Sequence, residues 1–147
     1  MDAGAIYQGW YSDMARTYAV GEISPEAAKL VRVTEESFFE GLKYCVAGNY
    51  LSDVSHAIQV HLESNGFGVI RDYVGHGLGR EIHEQPPVPN YGRPGRGPKL
   101  KKGMVLAIEP MVSAGSYAVK VLPDEWTAVT GDGSLAAHYE NTVVITD

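Results

Sequence analysis

One cysteine, three phenylalanines and no long basic or apolar run narrow what this 147-residue chain can be. A lone thiol, Cys45, excludes an internal disulfide and suits a reducing compartment. No apolar run approaches a membrane span and no signal-like segment opens the chain, so a soluble cytoplasmic protein is the expectation. Lysine and arginine total 12 against 18 acids, a net charge of −6, which argues against nucleic acid or an anionic membrane as the main partner. The only basic cluster, PKLKKG at 98–103, reads as a solvated loop edge. With neither repeat nor linker, residues 1–147 form a single domain, long enough to bury a core.

Local signals are plentiful. MDAGAIYQGWYSD reads as a β-hairpin with Gln8 and Gly9 as its turn, so that Tyr7 pairs with Trp10 and Gly4 with Asp13. Asp2 then points to the same face as Asp13, about 7–8 Å away at the backbone. Two acids so placed repel unless a cation lies between them, and a solvated hairpin face is the plain alternative. Ser24 reads as a helix cap with Pro25 as the first helical residue and Gly48 as the stop. Apolar positions at helical spacing make Phe38, Phe39 and Cys45 core candidates. A second helix is capped by Ser52 and ends at Asn65-Gly66, with His56 and His61 expected to be exposed or satisfied. Residues 67–74 read as a strand, 86–98 as irregular, and 103–112, 116–122, 125–130 and 135–146 as strands, the last pair joined by Gly131-Asp132-Gly133. Hairpin, two helices, then strands is an α+β order, with helices covering one face of a curved antiparallel sheet.

Three strand-like segments contain polar residues that the pattern does not want. In YVGHGLGREIHEQP, glycines 75, 77 and 79 surround His76 and let backbone approach closely, and His83 follows. Glu109 interrupts VLAIEPMV, where burying an unpaired carboxylate would cost several kcal/mol. Pro110 beside it removes a ladder donor, which marks an edge or bulge. Glu140 lies within AAHYENTVVIT. Singly, each acid could be half of a salt bridge. Together, Asp2, Asp13, His76, Glu109 and Glu140 form an oxygen-rich set with one nitrogen, suited to two divalent ions such as Mn, Fe, Co or Zn.

At this point the chain resembles the type I methionine aminopeptidases, members of the pita-bread metallopeptidases. The resemblance rests on DAGAIYQGWYSDMARTY, VGHGLGREIHEQPPVPNYG, GMVLAIEPMV and WTAVTGDGSLAAHYENTVVIT, and on the spacing from Asp2 to Asp13. It implies a pita-bread fold and removal of N-terminal methionine from polypeptides with a small second residue, by hydroxide attack at a dinuclear metal centre. Asp2, Asp13, His76, Glu109 and Glu140 would be the metal ligands, Asp13 and Glu140 bridging. Glu109 would also shuttle the proton, and His83 would contact the scissile peptide. Ile82 and Trp126 would border the methionine pocket.

The resemblance also implies that this chain corresponds to the family's second half, because complete members carry a long region before the aspartate matched by Asp2. The N-terminal half of the fold would then be missing, and the chain would either pair with a second copy or a complementing chain across the surface it leaves, or be only marginally stable. Two positions depart from the family pattern: His138 stands where glutamine is expected, and Ile82 where many members have phenylalanine. Both bear on substrate preference. The competing readings are a prolidase or proline aminopeptidase on the same fold, and a catalytically incompetent fragment that serves as a binding or assembly module.

Overall fold

The computed structural model describes residues 1–146. It opens on the expected hairpin, β1 (Asp2–Tyr7) and β2 (Trp10–Arg16), with Tyr7 opposite Trp10 and Gly4 opposite Asp13. Gln8 and Gly9 have φ of 51° and 77°, the doubly left-handed turn that matches strand twist in two-residue hairpins. The hairpin exposes Ile6, Tyr7, Trp10 and Met14.

Helix α1 (Pro25–Leu42) starts where Ser24 and Pro25 place it, and the Ser24 hydroxyl accepts from the Ala27 N–H at 3.1 Å. It ends at Lys43 rather than Gly48, because the chain turns back on itself there: the N–H groups of Tyr44 and Cys45 donate to the carbonyls of Gly41 and Leu42. Helix α2 (Leu51–Ser64) is capped by Tyr50, not Ser52. Asp53 accepts from the Tyr50 N–H at 2.9 Å, and the Ser52 hydroxyl is taken by the Arg96 N–H instead. The helices meet where Gly41 leaves room for Ile58, whose Cγ1 lies 2.7 Å from where a Cβ would stand. Val33, Val54, Ile58 and Leu62 are fully buried there, each stabilising by about 1.5–3 kcal/mol. Phe38 joins this core, whereas Phe39 is 46% exposed and only edges against it. His56 and His61 are satisfied as expected, by the Gly92 carbonyl and the Glu36 carboxylate.

The remaining strands are β3 (Gly68–Val69), β4 (Gly75–Gly77), β5 (Glu84–Val88), β6 (Val105–Ile108), β7 (Met111–Ser113), β8 (Val119–Val121), β9 (Ala128–Thr130) and β10 (Ala136–Val144). The expected strand at 67–74 is reduced to two residues, and β5 runs into the segment expected to be irregular. Every strand pairing is antiparallel, and the main sheet runs β1-β2-β10-β6-β4-β5, with β7 on β10 and β3 on β7. β8 and β9 form a separate two-stranded sheet, so Gly131–Gly133 does not close a β9–β10 hairpin. α1 covers one side of β10, where Phe38 packs on Tyr139 with ring centroids 5.3 Å apart. Among the described residues no helix is long and apolar enough to cross a membrane.

Candidate metal centre

Alternation along β10 separates core from site. Ala137 and Tyr139 face the helices and are buried in the core, so His138, Glu140 and Thr142 face the other way. Register extends that second face across the sheet. Glu140 lies opposite Ala15, and Ala15 opposite Asp2, so Asp2 and Asp13 share it. Thr142 lies opposite Ala107, and Ala107 opposite His76. Glu109 follows Ala107 by two residues, at the break between β6 and β7 that Pro110 enforces; β10 spans the break, its Tyr139 N–H donating to the Pro110 carbonyl at 3.2 Å. Strand pairing therefore brings Asp2, Asp13, His76 and Glu140 to one surface, and the break after β6 adds Glu109.

That surface floors a cleft of about 780 Å³ whose lining includes Asp2, His76, His83, Glu109, Met111 and His138. One ligand atom each from Asp13, His76 and Glu140 lies within 4.8 Å of the others, and the same holds for Glu109, His138 and Glu140. Glu140 belongs to both groups and is only 2% exposed. Burial, then the Glu109, Asp13 and Asp2 carboxylates, push its carboxyl up to about 8, with Arg16 opposing. Among the described residues its own side chain has no ion pair; Arg16 donates instead to the Glu140 carbonyl and to Asn141 Oδ1 and stacks on Tyr139. Asp2 lines the cleft and adds to the field at Glu140 but joins neither group. Its strand is held in place by the Met1 carbonyl, which accepts from the Arg16 N–H at 2.8 Å.

The surroundings hold these groups. Thr142 Oγ1 accepts from the Asp13 N–H at 2.8 Å and donates to the Asp13 carbonyl at 2.9 Å, locking β2 to β10 beside the carboxylate. His76 Nδ1 is 3.0 Å from the Gly77 carbonyl, which leaves Nε2 free to face Glu109 Oε1 at 3.4 Å. Asn90 donates to the Glu109 carbonyl at 3.0 Å. His83 meets the His76 ring edge to face, centroids 4.4 Å apart, on a loop whose Arg80 and Glu81 N–H groups both donate to Glu84. Arg80 itself stacks on Trp10 at 3.9 Å and donates to the Gln8 and Gly9 carbonyls, which pins this loop to the hairpin tip.

Gly75 shows why glycine flanks His76. A Cβ there would meet the carbonyl oxygen of Ala107, which is backbone of the neighbouring strand and cannot yield. Gly75→Ala is expected to cost about 3 kcal/mol by forcing β4 from β6. A urea midpoint equal to that of the unsubstituted protein would refute this.

Neither Ile82 nor Trp126 lines this cleft. Ile82 leans on the hairpin, its Cδ1 3.4 Å from where a Gly4 Cβ would be. Trp126 is 88% exposed, outside the cleft. Its N–H and that of Thr127 donate to Asp124 Oδ1, which holds the β8–β9 turn with the indole outward; Ala128 is the residue of that hairpin that reaches the cleft lining. Conversely, His138 was read only as a departure bearing on substrate. The signal that places it here is its two-residue spacing from Glu140 on one strand.

The chain belongs to metallopeptidase family M24, whose profile matches residues 1–147. Within that family it is 66% identical over 147 residues to a methionine aminopeptidase of Clostridium acetobutylicum, covering 100% of this chain and 59% of that protein. It is 54% identical to methionine aminopeptidase 1 of Bacillus subtilis, over 100% of this chain and 59% of that one. The chain thus spans 59% of the length of these curated relatives. The crystal structure of a methionine aminopeptidase from Thermotoga maritima matches with a TM-score of 0.97 at 59% identity, over 99% of this chain and 58% of that chain. The prolidase from Pyrococcus horikoshii matches at 0.74 and 25% identity, over 99% and 36%. The fold is that of the pita-bread metallopeptidases.

The residues fit divalent cations on their own chemistry. Buried Glu140 lies among carboxylates with no Lys or Arg paired to its side chain, and His138 Nε2 is buried without a hydrogen-bond partner. Carboxylate oxygens with imidazole nitrogens are what such cations take.

Proposed function

We propose that the protein hydrolyses the first peptide bond of polypeptides that begin with methionine followed by a small residue. The observation that carries this is the convergence of Asp13, His76, Glu109 and Glu140 on one sheet face beneath an open cleft. With Asp2 they would hold two divalent ions, of Co, Mn, Fe or Zn. Such ions, when bound, polarise a carbonyl as Lewis acids and make water more acidic.

The chain's own residues supply the remaining chemistry. Glu109, about one-eighth exposed at the cleft, takes a proton from the attacking water and returns it to the leaving amine. His83 stands at the cleft edge against His76 and donates to the carbonyl oxygen as negative charge develops there. The loop that carries it is braced by Glu84 and Arg80, so the imidazole need not be ordered during the reaction. Similarity to methionine aminopeptidases at 54% and 66% identity supports methionine over proline specificity.

The deciding experiment measures metal content together with release of methionine from Met-Ala-Ser and of the first residue from Xaa-Pro peptides. Two ions per chain with methionine release is the expected result. Preference for Xaa-Pro would move the protein to the prolidase type. Metal uptake with no release from either peptide would replace the enzyme by a binding module.

A further inference from the structure

We propose that His138 is a metal ligand: its Nε2 binds a cation held by Glu109 and Glu140, so that the centre carries a second imidazole beside His76. The proposal rests on the two-ion reading above and adds to it a donor outside the five expected ones.

Symmetry about Glu109 is the first argument. Its Oε1 faces His76 Nε2 at 3.4 Å and its Oε2 faces His138 Nε2 at 3.5 Å. One carboxylate thus stands between two imidazoles, one for each oxygen. Both nitrogen–oxygen separations exceed the usual ~2.7–3.2 Å of a hydrogen bond, so the carboxylate does not itself satisfy either ring nitrogen.

The second argument is the state of the nitrogen. His138 Nε2 is buried and has no hydrogen-bond partner, although the ring as a whole is a quarter exposed. A buried polar atom with no partner is destabilising, and a ligand that accepts its lone pair removes the cost. The residue is also held firmly. Thr17 Oγ1 accepts from the His138 N–H at 2.9 Å and donates to its carbonyl at 3.0 Å, so β10 presents the ring at a fixed place beside Glu140. Substitution of the ring leaves those backbone bonds intact.

The consequence is a difference in metal preference. Without His138, the cation at Glu109 and Glu140 would have at most the His76 imidazole among its donors, a set richer in oxygen and better suited to Mn. An imidazole there favours Co, Fe or Zn. The test compares the unsubstituted protein with His138→Gln and His138→Ala by Co(II) and Mn(II) titration calorimetry, and by X-ray absorption counting of imidazole nitrogens on Co(II). The unsubstituted protein should bind two Co(II) with two imidazoles between them. Each variant should lose one imidazole and weaken one Co(II) site by at least ~10-fold, with Mn(II) affinity less affected. Thermal melts of the metal-free variants report that they fold. Two Co(II) bound as tightly in both variants, with an unchanged nitrogen count, would overturn the ligand role while leaving the two-ion reading intact. Failure of the unsubstituted protein to bind a second ion would overturn both.

Discussion

Glu109→Gln is expected to reduce methionine release by about 10²–10⁴-fold, the range removed when a general acid–base group is lost. Glutamine keeps the size of the side chain and its place in the break before Pro110, where Asn90 holds the backbone at 3.0 Å. It removes the proton acceptor and one of the two oxygens that face His76 and His138 at 3.4 and 3.5 Å. The loss should fall on kcat more than on KM, because the proton is transferred in the transition state and not on binding. Metal content measured on the same samples separates loss of proton transfer from loss of a ligand. Turnover within a few-fold of the unsubstituted protein, with metal retained, would remove Glu109 from the chemistry.

The second large effect is on metal affinity as a function of pH. Burial and three neighbouring carboxylates raise Glu140 to about 8, so in the metal-free protein it carries a proton at neutral pH. A cation must displace that proton, and apparent affinity should therefore rise about tenfold per pH unit up to pH ~8 and level off above it. At pH 7 the binding reaction should release close to one proton from this group, seen as a dependence of the calorimetric heat on the buffer's ionisation enthalpy. Affinity that does not change between pH 6.5 and 8 would contradict the assignment.

The same shift sets the sign of a stability effect. A folded-state pKa raised from an ordinary 4.5 to about 8 means that the folded form holds the proton more tightly than the unfolded chain. The stability linked to that proton is present below pH 4.5 and is lost as pH rises through 8 in the metal-free protein. Glu140→Gln should abolish this part of the pH dependence.

Much of the molecule follows from local sequence. Gln8-Gly9 determines the hairpin because glycine tolerates the left-handed turn and the flanking residues alternate. The register then places Asp2 with Asp13 whatever the rest of the chain does. Ser24-Pro25 starts α1 because both signals act within one turn. The unwanted acids at 109 and 140 were legible as chemistry because an apolar strand does not take an unpaired carboxylate without a compensating partner.

Other features depend on neighbours far away in the chain. Ser52 has a capping side chain, yet Arg96 takes its hydroxyl and Tyr50 becomes the cap. Gly131–Gly133 has turn chemistry, yet β10 pairs with β2, β6 and β7, which offer it a buried ladder that β9 does not. Trp126 is outward because Asp124 holds its turn. His138 is the clearest case. Alternation alone puts it on the face of Glu140, but only the break at Pro110 turns Glu109 toward it, and that contact is what makes an ordinary strand histidine a candidate ligand. The sequence by itself determined which side chains share a face, because side-chain period is a local property of backbone. The tertiary structure decided which of them meet, because meeting depends on pairing between strands distant from one another in the chain.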